Sequence, residues 1–220
     1  MLGQLFAFIL LIILLPLFGF IAIVIVIFSG RPIFYKHRRC GYKYAEFDMI
    51  KFRTMYSNNG PAITNYKDKR ITKIGGILRK YKFDELPQLI NIIKGEMNFI
   101  GPRPEEIGIV TNHLEYFIYL NEIKPGISDI SSIIFKDEST MYKNIKINKY
   151  EDEILPIKSR LAFITSNYQN MLQKSILLLL SFLVIIHHKL SLRIISRFFL
   201  PYEEIEFRKK LNNLLSEKIF

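Results

Sequence analysis

No side chain between residues 1 and 30 carries a charge; Arg31 is the first that does. This run constrains the fold more than any other feature, because the core helix of a soluble domain seldom goes so long without a polar face. It reads as a membrane-seeking helix. A cleavable signal peptide fits badly, since the basic leader is missing and the apolar stretch is too long. Directly after it come Arg31, Lys36, His37, Arg38 and Arg39. The positive-inside rule puts that flank on the cytoplasmic face, which also suits the unpaired Cys40. A straight helix of these 30 residues would be about 45 Å long, against a hydrocarbon core of about 30 Å. Pro16 lies near the midpoint, where its missing backbone N–H favours a kink. The chain therefore divides into a membrane segment, residues 1–30, and a cytoplasmic domain, residues 31–220.

The formal charge of +11 falls wholly on the second part, with 31 Lys and Arg against 20 Asp and Glu. Such a balance calls for polyanionic company: nucleic acid, phosphorylated substrates or an anionic lipid surface. Half the residues are hydrophobic, which excludes a disordered chain, and the lone cysteine excludes a disulfide scaffold. Residues 47–55 alternate like a strand, with Ile50, Phe52 and Thr54 on one side and Lys51 and Arg53 on the other. Residues 57–69 are polar, hold Asn-Gly-Pro and read as a loop. Residues 71–82 predict a short helix. Residues 84–94 predict a better one, with Leu86, Leu89, Ile90 and Ile93 at helical spacing, Asp84 as N-cap, Pro87 in the first turn and Lys94-Gly95 as the stop. Residues 101–104 and 124–126 read as turns, and helix returns from about residue 154. A second apolar run, residues 175–186, is too short to span a bilayer alone. Beyond it Lys189, Arg193 and Arg197 recur every four residues, interleaved with Leu190, Ile194 and Phe198. That pattern predicts an amphipathic helix in the membrane interface, its basic row toward anionic lipids. The competing reading is a second span through residues 175–199.

Asp84-Glu85 stands out, as two adjacent acids in so basic a chain at a predicted helix start. The helix macrodipole would keep Asp84 ionised, which makes it a usable nucleophile toward phosphorus, while Glu85 can hold a metal or move a proton. Acids also favour helix starts for stability alone, and that reading covers most such pairs. The basic residues shift the balance. Arg79, Arg103 between two prolines, and Lys51 with Arg53 on one strand face form a set able to cradle a diphosphate. Taken singly, each is a solvated surface charge. There is no P-loop and no GxGxxG fingerprint. His187-His188 lack nearby acids or cysteines and read as a membrane boundary rather than a metal site. Tyrosines interleaved with Lys over residues 142–150 are a weak single-strand signal, at odds with the apolar N-terminus, so no nucleic-acid partner is expected.

The segments SGRPIFYKHRRCG, IKFRTM, RITKIGGILRKYKFDELPQLINIIKGEMNFIGPRPE and KPGIS occur here in one order. That order resembles the bacterial sugar transferases, the monotopic phosphoglycosyl transferases that start lipid-linked glycan assembly. The resemblance runs from about Pro16 to Glu138, and the section KPGISDISSIIFKDE is similar to the branch reading PGITD. It implies transfer of a phosphosugar from a UDP-sugar donor to polyprenol phosphate, with Mg²⁺ and release of UMP. Asp84 would be the nucleophile and Glu85 its dyad partner, the two also holding the metal. Lys51, Arg53, Arg79, Arg103 and Lys124 would bind substrate phosphate. Pro16 would break the membrane helix so that it re-enters the cytoplasmic face. The chain departs from the pattern at Leu15-Pro16, where Ser-Pro is usual, at His37 for Gln and at Lys124 for Arg.

The expected fold is mixed α/β and helix-dominated: one compact cytoplasmic domain with a small sheet, anchored to a bacterial inner membrane by the re-entrant helix and interfacial amphipathic helices. A homodimer is allowed for. Two other classes stay open. A membrane-associated conventional glycosyltransferase would release UDP, and an inactive scaffold relative would release nothing.

Overall fold

The uncharged run folds as one helix in the computed structural model, which describes residues 1–56, 68–136, 150–167, 170–200 and 205–215. This helix, α1 (Leu2–Ser29), is the one among the described residues that is long and apolar enough to cross a membrane. The interruption expected at Pro16 is absent: helical backbone continues across it. A proline removes a single ladder bond, and here packing fixes the helix on both sides of that gap. Ala7, Leu10, Leu11 and Leu14 lie against Met49, Leu89, Ile92 and Met97. Phe18, Ile21 and Ile25 lie against Phe52 and Leu78. The opposite face, including Phe8, Ile12, Leu15, Ile23 and Ile27, is exposed.

The charged flank forms a strand that was not foreseen. β1 (Phe34–Cys40) pairs antiparallel with β2 (Glu46–Phe52), in register from Phe34 opposite Phe52 to Cys40 opposite Glu46. β2 ends earlier than the alternation predicted, at Phe52, so Arg53 and Thr54 leave the ladder. Met55 makes only an isolated bridge to Ile71. The predicted helix at 71–82 is α2 (Lys73–Lys80), capped by Thr72, whose Oγ1 accepts the Gly75 N–H at 2.8 Å. A Cβ at Gly75 would lie 2.0 Å from the Thr54 carbonyl oxygen. The helix therefore crosses the end of β2 at a distance only glycine permits.

The helix expected over 84–94 is shorter and starts later. Lys82 takes a left-handed conformation (φ 59°), a 3-10 turn covers Phe83–Glu85, and α3 (Gln88–Ile93) begins after Pro87. Three-residue hydrogen bonds run through the junction, from the N–H of Glu85 to Lys82 and from that of Leu86 to Phe83. The left-handed residue ends one helix, and the next starts only after proline, so Asp84 is not an α-helical N-cap. The predicted stop holds: Gly95 has φ 79° and donates its N–H to Ile92.

A second, parallel pair joins β3 (Asn98–Ile100) to β4 (Gly126–Ser128). Between them lie the Gly101-Pro102-Arg103-Pro104 segment and α4 (Ile107–Asn112). α5 (Ile130–Ile134) follows, capped reciprocally by Asp129 and Ser132. Helix then dominates, as predicted, through α6 (Leu155–Asn167), α7 (Met171–Ile186), α8 (His188–Phe198) and α9 (Ile205–Leu215). Ile130, Ile133, Leu161, Leu177, Leu180, Leu192 and Ile195 form the core of this half. His187 interrupts the run between α7 and α8 (φ −133°, ψ 75°), so the single span through 175–199 does not form. On α8 Lys189, Arg193 and Arg197 are exposed together with Leu190 and Phe198, while Ser191, Leu192 and Ile195 are buried. The loop expected at 57–69 falls outside the described residues except for Asp68 and Lys69, and so does the 142–150 stretch up to Tyr150.

Candidate active site

The turn at residues 83–85 points both acids inward: Asp84 is 7% exposed and Glu85 8%. Two elements distant in sequence meet Glu85 there. From β2, Lys51 brings its Nζ to 3.1 Å from Glu85 Oε1. From the segment after β3, Arg103 brings Nη2 to 2.6 Å from the same oxygen and Nη1 to 3.4 Å from Oε2. The prolines at 102 and 104 stiffen the backbone that presents Arg103. Glu85 is thus an acid clamped by two cations.

Electrostatics separates the two carboxyls. Burial alone would raise Glu85, but Arg103, Lys51 and Lys82 outweigh it and hold Glu85 well below the usual carboxylate range. Asp84 moves the other way: burial, then the Glu85 charge, push it up, opposed by Lys51, Lys82 and Arg79. The expectation that a helix N-terminus keeps Asp84 ionised is therefore corrected, because no α-helix starts at it. Its Oδ1 is buried and, among the described residues, has no hydrogen-bond partner. A buried unbonded carboxylate oxygen is costly, and it is free to meet a cation or an electrophile. Burial also lowers Lys51, against the pull of Glu85.

The remaining predicted cations divide. Arg79 donates Nε–H to Thr54 Oγ1 at 2.8 Å, and its charge is felt at Asp84. Arg53 does not join the cradle. Its guanidinium donates to the backbone carbonyls of Ser29, Gly30 and Arg31, the last at 2.8 Å. It caps the negative end of α1, a use for which a planar fork is well suited. Lys124 is also elsewhere: it lines a cavity with Asn98, Gly101 and Lys174, and its charge is not among the largest acting on either acid.

Sequence reasoning missed three groups. Lys82 acts on both acids. Glu105, two residues after Arg103, accepts from Lys158 at 3.0 Å and Arg39 at 3.3 Å, and these cations outweigh burial and bring it down to about 2. Lys158 also donates to the Tyr150 hydroxyl at 2.8 Å. The acid at the end of GPRPE was the available signal for Glu105; nothing local marks Lys158. Among the described residues no three His, Cys, Asp or Glu side chains group as a metal site. Of the two acids proposed for a metal, Glu85 has both oxygens engaged and Asp84 Oδ1 is open.

The sequence is also similar to known proteins. The bacterial sugar transferase family matches residues 1–174. The UDP-N-acetylgalactosamine-undecaprenyl-phosphate N-acetylgalactosaminephosphotransferase of Aeromonas hydrophila is 34% identical over 125 residues, 54% of this chain and 30% of the relative. The exopolysaccharide production protein ExoY of Sinorhizobium fredii is 33% identical over 139 residues, 54% of this chain and 60% of ExoY. The UDP-glucose:undecaprenyl-phosphate glucose-1-phosphate transferase of Xanthomonas campestris is 33% identical over 139 residues, covering 60% of this chain and 29% of its own length. The chain therefore spans less than two thirds of each of these relatives. With the match extending over most of its length, the chain belongs to the bacterial sugar transferase family.

Proposed function

We propose that this chain moves a phosphosugar from a UDP-sugar to polyprenol phosphate and releases UMP. One observation carries the reading: an unbonded buried oxygen of Asp84 beside a Glu85 clamped by Lys51 and Arg103. Asp84 attacks the β-phosphorus of the donor. The bond from that phosphorus to the bridging oxygen breaks, UMP leaves with the oxygen, and an aspartyl phosphosugar remains. A phosphate oxygen of the polyprenol phosphate then attacks the same phosphorus, and the Asp84 carboxylate departs. Cations around the phosphoryl group stabilise the charge that develops in both steps. Glu85, held ionised, serves as the counter-charge that keeps Lys51 and Arg103 in place until donor oxygens compete for them.

Magnesium fits the open oxygen. Mg²⁺ takes one or two carboxylates together with substrate phosphates and water; Asp84, with Glu85 beside it, would hold it. When bound it neutralises diphosphate charge and polarises the transferring phosphoryl.

A bilayer-confined acceptor accounts for the exposed apolar face of α1 and the basic row of α8. Both ends of α1 are fastened to the same domain, Gln4 Nε2 to the Ile93 carbonyl at 3.1 Å and the carbonyls of residues 29–31 to Arg53. That supports a helix lying along one face of the bilayer, the cytoplasmic one, with its exposed apolar side toward lipid. The released nucleotide tests the reading: UMP supports it, UDP indicates a conventional glycosyltransferase, and no nucleotide from any UDP-sugar indicates an inactive relative.

A further inference from the structure

Lys82 holds a conformation that lysine does not favour. With φ 59° and ψ 18° it lies in the left-handed region, where glycine or asparagine would meet less strain. Its backbone is fully used by the turn: its N–H donates to the Arg79 carbonyl at 3.2 Å, and its carbonyl accepts from Glu85 N–H at 3.2 Å. Nothing in that turn needs a lysine side chain. The residue is half-buried, and the charge of its ammonium acts on both Asp84 and Glu85. Among the described residues it makes no hydrogen bond and no ion pair. Its neighbours are already engaged: Lys51 and Arg103 on Glu85, Arg53 on α1, and Arg79 through Nε on Thr54. A strained position beside an unbonded nucleophile, occupied by an uncommitted cation, is where strain is retained for function.

We infer that Lys82 is the residue that binds the β-phosphate of a nucleoside diphosphate, its left-handed backbone aiming the ammonium across the Asp84 turn. The inference rests on the reading of Asp84 given above. Lysine suits this task because three donors on a flexible stem can follow phosphoryl oxygens as they move. The ammonium only donates hydrogen bonds and forms no covalent bond in either step.

The left-handed backbone makes the test clean, because Lys82→Gly removes the ammonium and the strain together. The full chain in detergent is titrated with UDP and, separately, with UMP, each with Mg²⁺, and its melting temperature is measured. Wild type should bind UDP more tightly than UMP. Lys82→Gly should weaken UDP about tenfold, the size of one charge-assisted hydrogen bond, and leave UMP nearly unchanged, with the melting temperature equal or higher. Lys82→Arg should restore most UDP affinity. Equal weakening of UDP and UMP, a lower melting temperature for Lys82→Gly, unchanged UDP affinity, or a wild type blind to the second phosphate would each overturn the inference. Release of UDP from UDP-glucose or UDP-N-acetylgalactosamine by the wild type would instead overturn the phosphosugar-transfer reading, and it is scored separately.

Discussion

Replacing Lys158 by methionine removes one ammonium from a buried network and keeps most of the stem volume. Lys158 is 8% exposed, and its Nζ lies 3.0 Å from Glu105 Oε1 and 2.8 Å from the Tyr150 hydroxyl. Burial raises Glu105, and Lys158 is the largest of the charges that bring it from 4.5 down to about 2. At about 1.4 kcal/mol per unit, that depression is worth about 3 kcal/mol at neutral pH. Without Lys158, Glu105 keeps Arg39 at 3.3 Å but loses its strongest partner. A buried carboxylate stripped of such a partner destabilises by about 3 kcal/mol, or about 6–12 °C in a chain of this size. The sign with pH follows from the direction. A depressed carboxyl contributes stability that is complete above its unfolded value and is lost as pH falls from 4.5 toward about 2. The gap between wild type and Lys158→Met should therefore be widest near pH 7, narrow as pH falls below 4.5 and close near pH 2. The chain has 12 Tyr and no Trp, so near-ultraviolet tyrosine dichroism in detergent is the signal to melt against. A gap under about 1 °C at pH 7, or one that persists undiminished at pH 3, would refute the reasoning.

Two adjacent glycines should respond in opposite directions. Gly75→Ala drives a methyl into the Thr54 carbonyl and should destabilise by about 1–3 kcal/mol, whereas Gly76, with nothing within 4 Å of its Cβ position, should gain about 0.5–1 kcal/mol on the same change; urea or thermal unfolding of the pair reads this directly. For membrane topology, Gly3→Cys in a Cys40→Ser background should react with an impermeant thiol reagent only after the cytoplasmic face is opened. Reaction from the outer face would establish a true span.

The acid pair was legible because adjacency of Asp84 and Glu85 survives any local conformation, but its surroundings were not. Helical spacing of Leu86, Leu89 and Ile93 hid the left-handed Lys82, since backbone sign leaves no trace in an apolar period. Lys51 and Arg53 share a strand face only while the strand lasts, and β2 stops between them. That single-residue difference sends one cation to Glu85 and the other to the end of α1. β1 went unread because its YKHRR centre faces largely outward and shows no apolar alternation. β3 and β4 have three residues each, too few for a period to declare itself. Glu105 and Lys158 are joined across 53 residues, a separation at which only folding reveals a partner. The α8 basic row, by contrast, was readable at once, because four-residue spacing and exposure coincide.

Covalent capture at Asp84 tests the central claim most directly. Wild type given a UDP-sugar with Mg²⁺ and no polyprenol phosphate should release UMP in a single burst. Peptide mass spectrometry should then find one phosphosugar increment on the peptide carrying Asp84, and added polyprenol phosphate should discharge it. Asp84→Asn should show neither burst nor increment. UMP release by Asp84→Asn near the wild-type rate, or an increment on a peptide without Asp84, would contradict the account.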